Sequence, residues 1–333
     1  MDSTQNENNK PQPNTDSGSA SWPPVLILLF LLIIVFLSAL SGAGLILAVS
    51  QMMGLSLQDA ILQLEAVHTP VFRNFVRLIT SINHLTTFII PALLLAYIIY
   101  RKDWSRQLLL HRRPGILKAF MGCLWLLAAF PLVQYIYYLN KQLPLPEWMV
   151  TMEHSTDELV LGLMIMNSPW ELLFNLLVVA LIPAIGEELI FRGLVQQQLS
   201  RWYKNPVVGV WVAAFVFSAV HMQFEGFLSR VLLGALLGYL LLWTRNLWVP
   251  VIAHFFNNAV QIVIMYFAGK DIAEVSADRG EPVAWWFALF SLALVISIGN
   301  YLAQDHVASN AAASAGDSAS IQDDPVMSAS QES

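Results

Sequence analysis

From Val25 to Val49 the sequence runs for 25 residues without one charged side chain. As a helix that stretch is about 37 Å long, enough to cross the roughly 30 Å hydrocarbon core of a bilayer. A secretory signal has a shorter apolar region behind a basic start, so this segment reads as a retained membrane helix. Further apolar blocks follow at Val71 to Tyr100, Ile116 to Leu139, Trp170 to Leu199, Val207 to Met222, Phe227 to Thr244, Leu247 to Phe267 and Val283 to Tyr301. The expected fold class is therefore all-α, a polytopic membrane bundle of about eight transmembrane helices. Composition agrees, with 56% apolar and 12% charged residues against about 25% charged in soluble domains.

Five stretches are expected: a polar, disordered tail over 1–21, N-terminal membrane helices and loops over 22–168, a core over 169–268, a last loop and membrane helix over 269–303, and a second disordered tail over 304–333. Between the first two spans, Ser56 with Asp59 three residues on reads as a capping box, and Leu57, Ala60, Ile61 and Leu64 give one apolar face. These predict a short interfacial or re-entrant helix. With eight spans both tails share a side. That side holds ten basic residues: Lys10, Arg101, Lys102, Arg106, Arg112, Arg113, Lys118, Arg201, Lys204 and Arg245. Six lie opposite: Arg73, Arg77, Lys141, Arg230, Lys270 and Arg279. The positive-inside rule then puts both termini in the cytoplasm of a cell-membrane protein. A net charge of −6 with no basic run excludes a nucleic-acid partner. The single cysteine, Cys123, excludes an intrachain disulfide framework.

Ionisable groups inside a bilayer are costly and mark function or internal pairing. The fourth span carries Glu187, Glu188 and Arg192 within Ile182-Pro-Ala-Ile-Gly-Glu-Glu-Leu-Ile-Phe-Arg-Gly193. Residues four apart share a helix face, so Glu188 pairs with Arg192 while Glu187 looks elsewhere. Pro183, one turn earlier, weakens the helix beside a polar cavity. The fifth span ends in Phe217-Ser-Ala-Val-His221, and the seventh holds His254 and Asn258 four residues apart. Three helices that each bury an acid, an imidazole or an amide satisfy those groups by facing one another. Counting rise per residue, Glu187 and His221 both sit about 20 Å from the same face, whereas His254 and Asn258 sit only about 10 and 16 Å from Leu247. The seventh helix must therefore be displaced or begin deeper.

A buried carboxylate beside an imidazole can hold a water and take its proton, and a second imidazole with a carboxamide can donate to the oxygen that becomes negative in amide hydrolysis. The alternative is a His₂Glu zinc site from Glu187, His221 and His254 with an open water position. The residues leave both open, so the cofactor is either one divalent metal or none. Neither Ser218 nor Cys123 has the partner a nucleophile needs. Asn83, His84, Gln134, Glu171 and Asn175 take no catalytic role, since such groups hydrogen-bond between helices or reach headgroups. Trp22, Trp104, Trp148, Trp170, Trp202, Trp248, Trp285 and Trp286 lie near span ends, as an interfacial belt would.

In this order and spacing, Glu187-Glu188-x-x-x-Arg192-Gly193, Phe217-x-x-x-His221 and His254-x-x-x-Asn258 resemble the CPBP family, the CAAX proteases and bacteriocin-processing enzymes also called Abi. The likeness covers about residues 169 to 268. It implies an intramembrane endopeptidase acting on a membrane protein or peptide. Glu187 would activate water with His221, His254 and Asn258 would stabilise the oxyanion, and Glu188 and Arg192 would orient the site. Family members are labelled metalloproteases, yet the eukaryotic type II endopeptidases are argued to work through glutamate alone, so the resemblance leaves the metal open. Two other classes use the same residues differently: an ion-coupled transporter, with Glu and His as a proton relay, and a catalytically silent scaffold.

Overall fold

The computed structural model describes residues 22–56, 70–268 and 283–322. The predicted interfacial helix after Ser56 and the first 21 residues lie outside the described residues. Those described form nine helices in chain order and no strand. They are α1 (Pro24–Met53), α2 (Pro70–Gln107), α3 (Ile116–Lys141), α4 (Glu147–Met164), α5 (Pro169–Tyr203), α6 (Pro206–Ala219), α7 (Phe227–Thr244), α8 (Trp248–Ala268) and α9 (Trp285–Gln322). Seven of them, all but α4 and α6, are long and apolar enough to cross a membrane. The polytopic all-α bundle expected from the apolar blocks is the observed fold.

Three elements differ from expectation. The fifth block is a 14-residue helix that stops at Ala219, about 21 Å of rise and too short to cross. The helix α4 has no counterpart among the predicted spans because Glu147, Glu153, Asp157 and Glu158 break its apolar pattern. At the other end, α9 runs on to Gln322 past the predicted tail boundary at 304. The continuing sequence is rich in alanine, with four between 311 and 315, and alanine has the highest intrinsic helix propensity.

The most interior helix is α5: 56% of its most apolar stretch is buried, against 17% for α1. Around it α1 packs on α2, α6 and α7 form an antiparallel hairpin, and α3 supports α7, α8 and α9. Close approach depends on small residues, as it does where lipid supplies no hydrophobic driving force between helices. A Cβ on Gly234 of α7 would lie 3.2 Å from the Ala214 backbone, and one on Gly186 of α5 would lie 2.8 Å from Phe88 of α2.

The helices α2 and α5 both contain π-helical turns, at Leu85–Ile89 in α2 and at Leu176–Leu181 and Leu189–Gln196 in α5. The first two end immediately before Ile90-Pro91 and Ile182-Pro183. A proline cannot donate to the carbonyl one turn back and its ring crowds it. A widened turn relieves that crowding without ending the helix.

Candidate active site

The local rule that separates Glu187 from Glu188 holds in three dimensions. Glu188 is fully buried, and its Oε1 accepts from Arg192 Nη1 at 2.8 Å and from His254 Nδ1 at 2.8 Å. Arg192 reaches across with Nη2 to the Gly234 carbonyl of α7 at 2.9 Å and lies over the Phe217 ring, 4.6 Å from its centroid. A buried charge is tolerated only when it is paired and its remaining donors are used. Glu188 Oε2 is buried with no protein partner.

Glu187 turns to the other side of α5. Its Oε2 lies 4.0 Å from His221 Nε2 and 3.9 Å from His254 Nε2. These separations exceed a direct hydrogen bond; they match about 4 Å, the span of two hydrogen bonds of about 2.8 Å meeting at a right angle. The partners fix both rings. His221 Nδ1 lies 2.7 Å from the Phe217 carbonyl, an acceptor only, so Nδ1 carries the proton and Nε2 presents its lone pair to Glu187. The Phe217-x-x-x-His221 spacing thus makes a one-turn bond back to its own helix. The Phe217 ring also contacts His221, His254 and Phe191, at centroid distances of 4.8, 6.3 and 5.1 Å. His254 Nδ1 faces the Glu188 carboxylate, which orients its Nε2 to Glu187 as well.

The depth mismatch of the seventh span resolves in the turn before α8. Leu247 is fully buried, its N–H donates to the Leu109 carbonyl, and Asn246 Nδ2 and Trp248 Nε1 donate to the Arg112 and Leu110 carbonyls. The segment after α2 covers this turn, so α8 starts below the level the sequence count assumed. A Cβ on Gly193 would lie 3.4 Å from Leu247. From that shared level, Glu187 is six residues away and His254 seven, about 9 and 10 Å of rise. They meet at one depth.

His221 reaches the same depth because α6 ends inside the bundle. Met222 stops it in the left-handed region, with φ at 53°. Backbone that is not helical at membrane depth must find partners within the protein. Here Glu153 of α4 accepts from the Phe224 and Glu225 N–H groups, Asn140 of α3 bonds the Phe224 carbonyl and the Leu228 N–H, and buried Ser218 donates to the Phe227 carbonyl. Ser218 holds the turn.

Asn258 stands one turn beyond His254, partly buried, and its Oδ1 accepts from Asn257 Nδ2 at 3.2 Å. It makes no described hydrogen bond to the carboxylates or imidazoles. The structure thus gathers Glu187, Glu188, Arg192, His221 and His254, with Asn258 adjoining them. By sequence Arg230 is a charge at the opposite face. Its guanidinium instead lies one turn into α7, bonds Gln223 at 2.7 Å, and acts electrostatically on both Glu187 and His221. A lone arginine near the start of an apolar block was the available signal. Glu171 and Asn175 make the interhelical hydrogen bonds expected of such groups, and their partners are Arg73 and Arg77, which the sequence places among the charges of the opposite face. Arg77 bonds Asn175 at 2.7 Å and Glu171 at 3.2 Å, Arg73 bonds Glu171 at 2.9 Å, and both arginines are fully buried between α2 and α5.

A zinc site from Glu187, His221 and His254 would need donor atoms about 3.4 Å apart, given bonds of about 2.1 Å in a tetrahedron. The spacings of 3.9 and 4.0 Å are wider, and among the described residues no group of three or more His, Cys, Asp or Glu is disposed to hold a metal ion. The residues as arranged do not fit that ion.

Comparison with known proteins places a family match on the segment that carries these residues. Residues 169–260 match the family model described as type II CAAX prenyl endopeptidase Rce1-like. The chain is 32% identical over 90 residues to the uncharacterized protein YpbD of Bacillus subtilis, a match covering 26% of this chain and 43% of that protein. The chain thus matches less than half the length of this curated relative. No solved structure matches it. Residues 169–260, which carry Glu187, Glu188, Arg192, His221 and His254, are thus similar to the type II CAAX prenyl endopeptidase Rce1-like family, in a chain with seven helices long and apolar enough to cross a membrane.

Proposed function

We propose that this protein is an intramembrane endopeptidase that hydrolyses peptide bonds of membrane-associated proteins or peptides. The observation that carries the reading is one carboxylate oxygen, Glu187 Oε2, set about equally from the Nε2 atoms of His221 and His254. A water between Glu187 and His221 meets two acceptors and donates one proton to each, which raises the electron density on its oxygen. As that oxygen bonds to the scissile carbonyl carbon, Glu187 takes the proton and the carbonyl oxygen becomes an oxyanion. Protonated His254, held by the Glu188 carboxylate, then donates from Nε2 to the oxyanion, and the Asn258 amide adds a second donor. Collapse breaks the C–N bond, and Glu187 returns its proton to the leaving nitrogen. Glu188 and Arg192 position His254 and touch no reacting atom.

The closing test uses purified protein in detergent with a library of quenched fluorescent membrane peptides. Cleavage by the wild type and none by Glu187→Gln or His221→Ala, with folded protein in each case, is the expected result. Cleavage surviving in Glu187→Gln would remove the base from this scheme. Metal analysis of the active protein, with activity before and after chelation, is expected to show no stoichiometric zinc and no loss; one equivalent of zinc with chelator-sensitive cleavage would replace it with metal chemistry.

We also infer cytoplasmic termini, since α6 and α7 form one antiparallel hairpin that enters and leaves by the same face, and the six other spans make an even number of crossings. Lys118 and Asp305, 2.8 Å apart, put the start of α3 and the end of the α9 span on one face, the face with the basic excess. Of the six opposing charges, Arg73, Arg77 and Arg230 are engaged within the bundle, which widens the asymmetry.

A further inference from the structure

His84 of α2 lies outside the Rce1-like segment and is absent from the three motifs, yet it faces the same site. It sits on the last turn before the π-helical turn Leu85–Ile89. Its ring stacks on Phe88, with centroids 5.4 Å apart and planes at 27°, and Phe88 packs on Phe191 at 6.3 Å. Gly186 lets this pair close, since only a residue without a Cβ fits against Phe88. His84 thus stands about one turn from the level of Gly186, the residue before Glu187. It is also within electrostatic reach of His221.

The imidazole Nδ1 of His84 is buried and has no protein partner. Buried polar atoms are nearly always hydrogen-bonded, and single-turn π-bulges recur at functional sites. A packing histidine would have both nitrogens engaged by neighbours or would be replaced by a hydrocarbon ring on Phe88. A site that cleaves a peptide bond also needs partners for the backbone of the bound segment. An extended segment entering a bundle leaves its own helix or sheet partners behind, and each of its amide groups then needs a partner at that depth.

We propose that His84 is a substrate-positioning residue whose Nδ1 hydrogen-bonds a backbone amide group of the extended peptide beside the scissile bond. The inference rests on the hydrolytic reading above. It also names what that site binds: an unfolded segment recognised through its main chain, with α2 supplying the contact and α5, α6 and α8 the chemistry.

The experiment measures kinetics on the library peptide that wild type cleaves fastest. His84→Phe keeps the stack on Phe88 and removes the nitrogen; His84→Asn restores a polar atom near Nδ1. One lost hydrogen bond predicts a KM about tenfold higher for His84→Phe with kcat changed less than about twofold, and a KM for His84→Asn within about threefold of wild type. Thermal midpoints in detergent report the fold of each variant. Equal kinetics for His84→Phe and wild type overturn the proposal. So does a parallel fall in midpoint and activity in both variants, the mark of a packing residue. A wild type that cleaves nothing overturns the hydrolytic reading itself, an outcome distinct from either.

Discussion

Two adjacent glutamates carry different duties because successive helical residues point about 100° apart. Glu188 is fully buried and bound by an arginine and an imidazole, whereas Glu187 faces two imidazole nitrogens across a 4 Å gap. Neutral substitutions should therefore separate chemistry from stability. Glu187→Gln is expected to lower peptide cleavage by about 10²–10⁴-fold, the worth of a general base, with the thermal midpoint nearly unchanged. Glu188→Gln leaves Arg192 buried without its counter-charge and is expected to cost about 3–5 kcal/mol. Thermal unfolding in detergent, run beside the cleavage assay, reads both. Similar midpoints for the two variants would argue against the division of roles.

At the scale of elements, α2 and α5 are joined at two places with different physics. Near the base they touch through Gly186, where an added methyl meets Phe88 and the Ile89 side chain at 2.8 and 3.0 Å. Gly186→Ala is expected to destabilise by about 1–3 kcal/mol through overpacking. It should also lower kcat in the protein that remains folded, since the shift displaces Glu187 from His221. Kinetics normalised to folded protein test this, and an unchanged kcat would show that α5 absorbs the methyl elsewhere. Toward the other end the two helices are clamped by Arg73, Arg77, Glu171 and Asn175, with the carbonyls of Leu163 and Ile165 also accepting from Arg77. Glu171→Ala leaves two buried guanidinium groups facing one another. The thermal midpoint should fall as for a loss of about 3–5 kcal/mol, while kcat per folded molecule holds.

For the molecule as a whole, the site is an assembly of three independent depths. The helix α5 passes through the interior, α6 ends within it, and α8 starts beneath the covered turn at Leu247. Each depth is set by a distant segment: α4 and α3 hold the turn after His221, and the stretch after α2 holds the turn before α8. Changes in these supports should act on catalysis without touching the reacting groups. Glu153→Gln, which weakens its two bonds to the Phe224 and Glu225 amides, is expected to lower kcat about tenfold. The cleavage assay should show little change in KM, and an equal rise in KM would point to a contact with substrate instead.

The apolar blocks alone determined a polytopic helical bundle, because a backbone in hydrocarbon must satisfy itself within helices. The one-turn spacings also determined that Glu188 meets Arg192 and that Glu187 does not, since those relations lie within single helices. Tertiary structure decided how far each helix reaches into the membrane. The count from Leu247 placed His254 too shallow because a buried, covered turn carries no mark of its depth in its own residues. It also decided what Arg77, Arg230 and His84 face. A charge or an imidazole in an apolar run announces that it needs a partner, but the partner stands on another helix, and packing alone selects it.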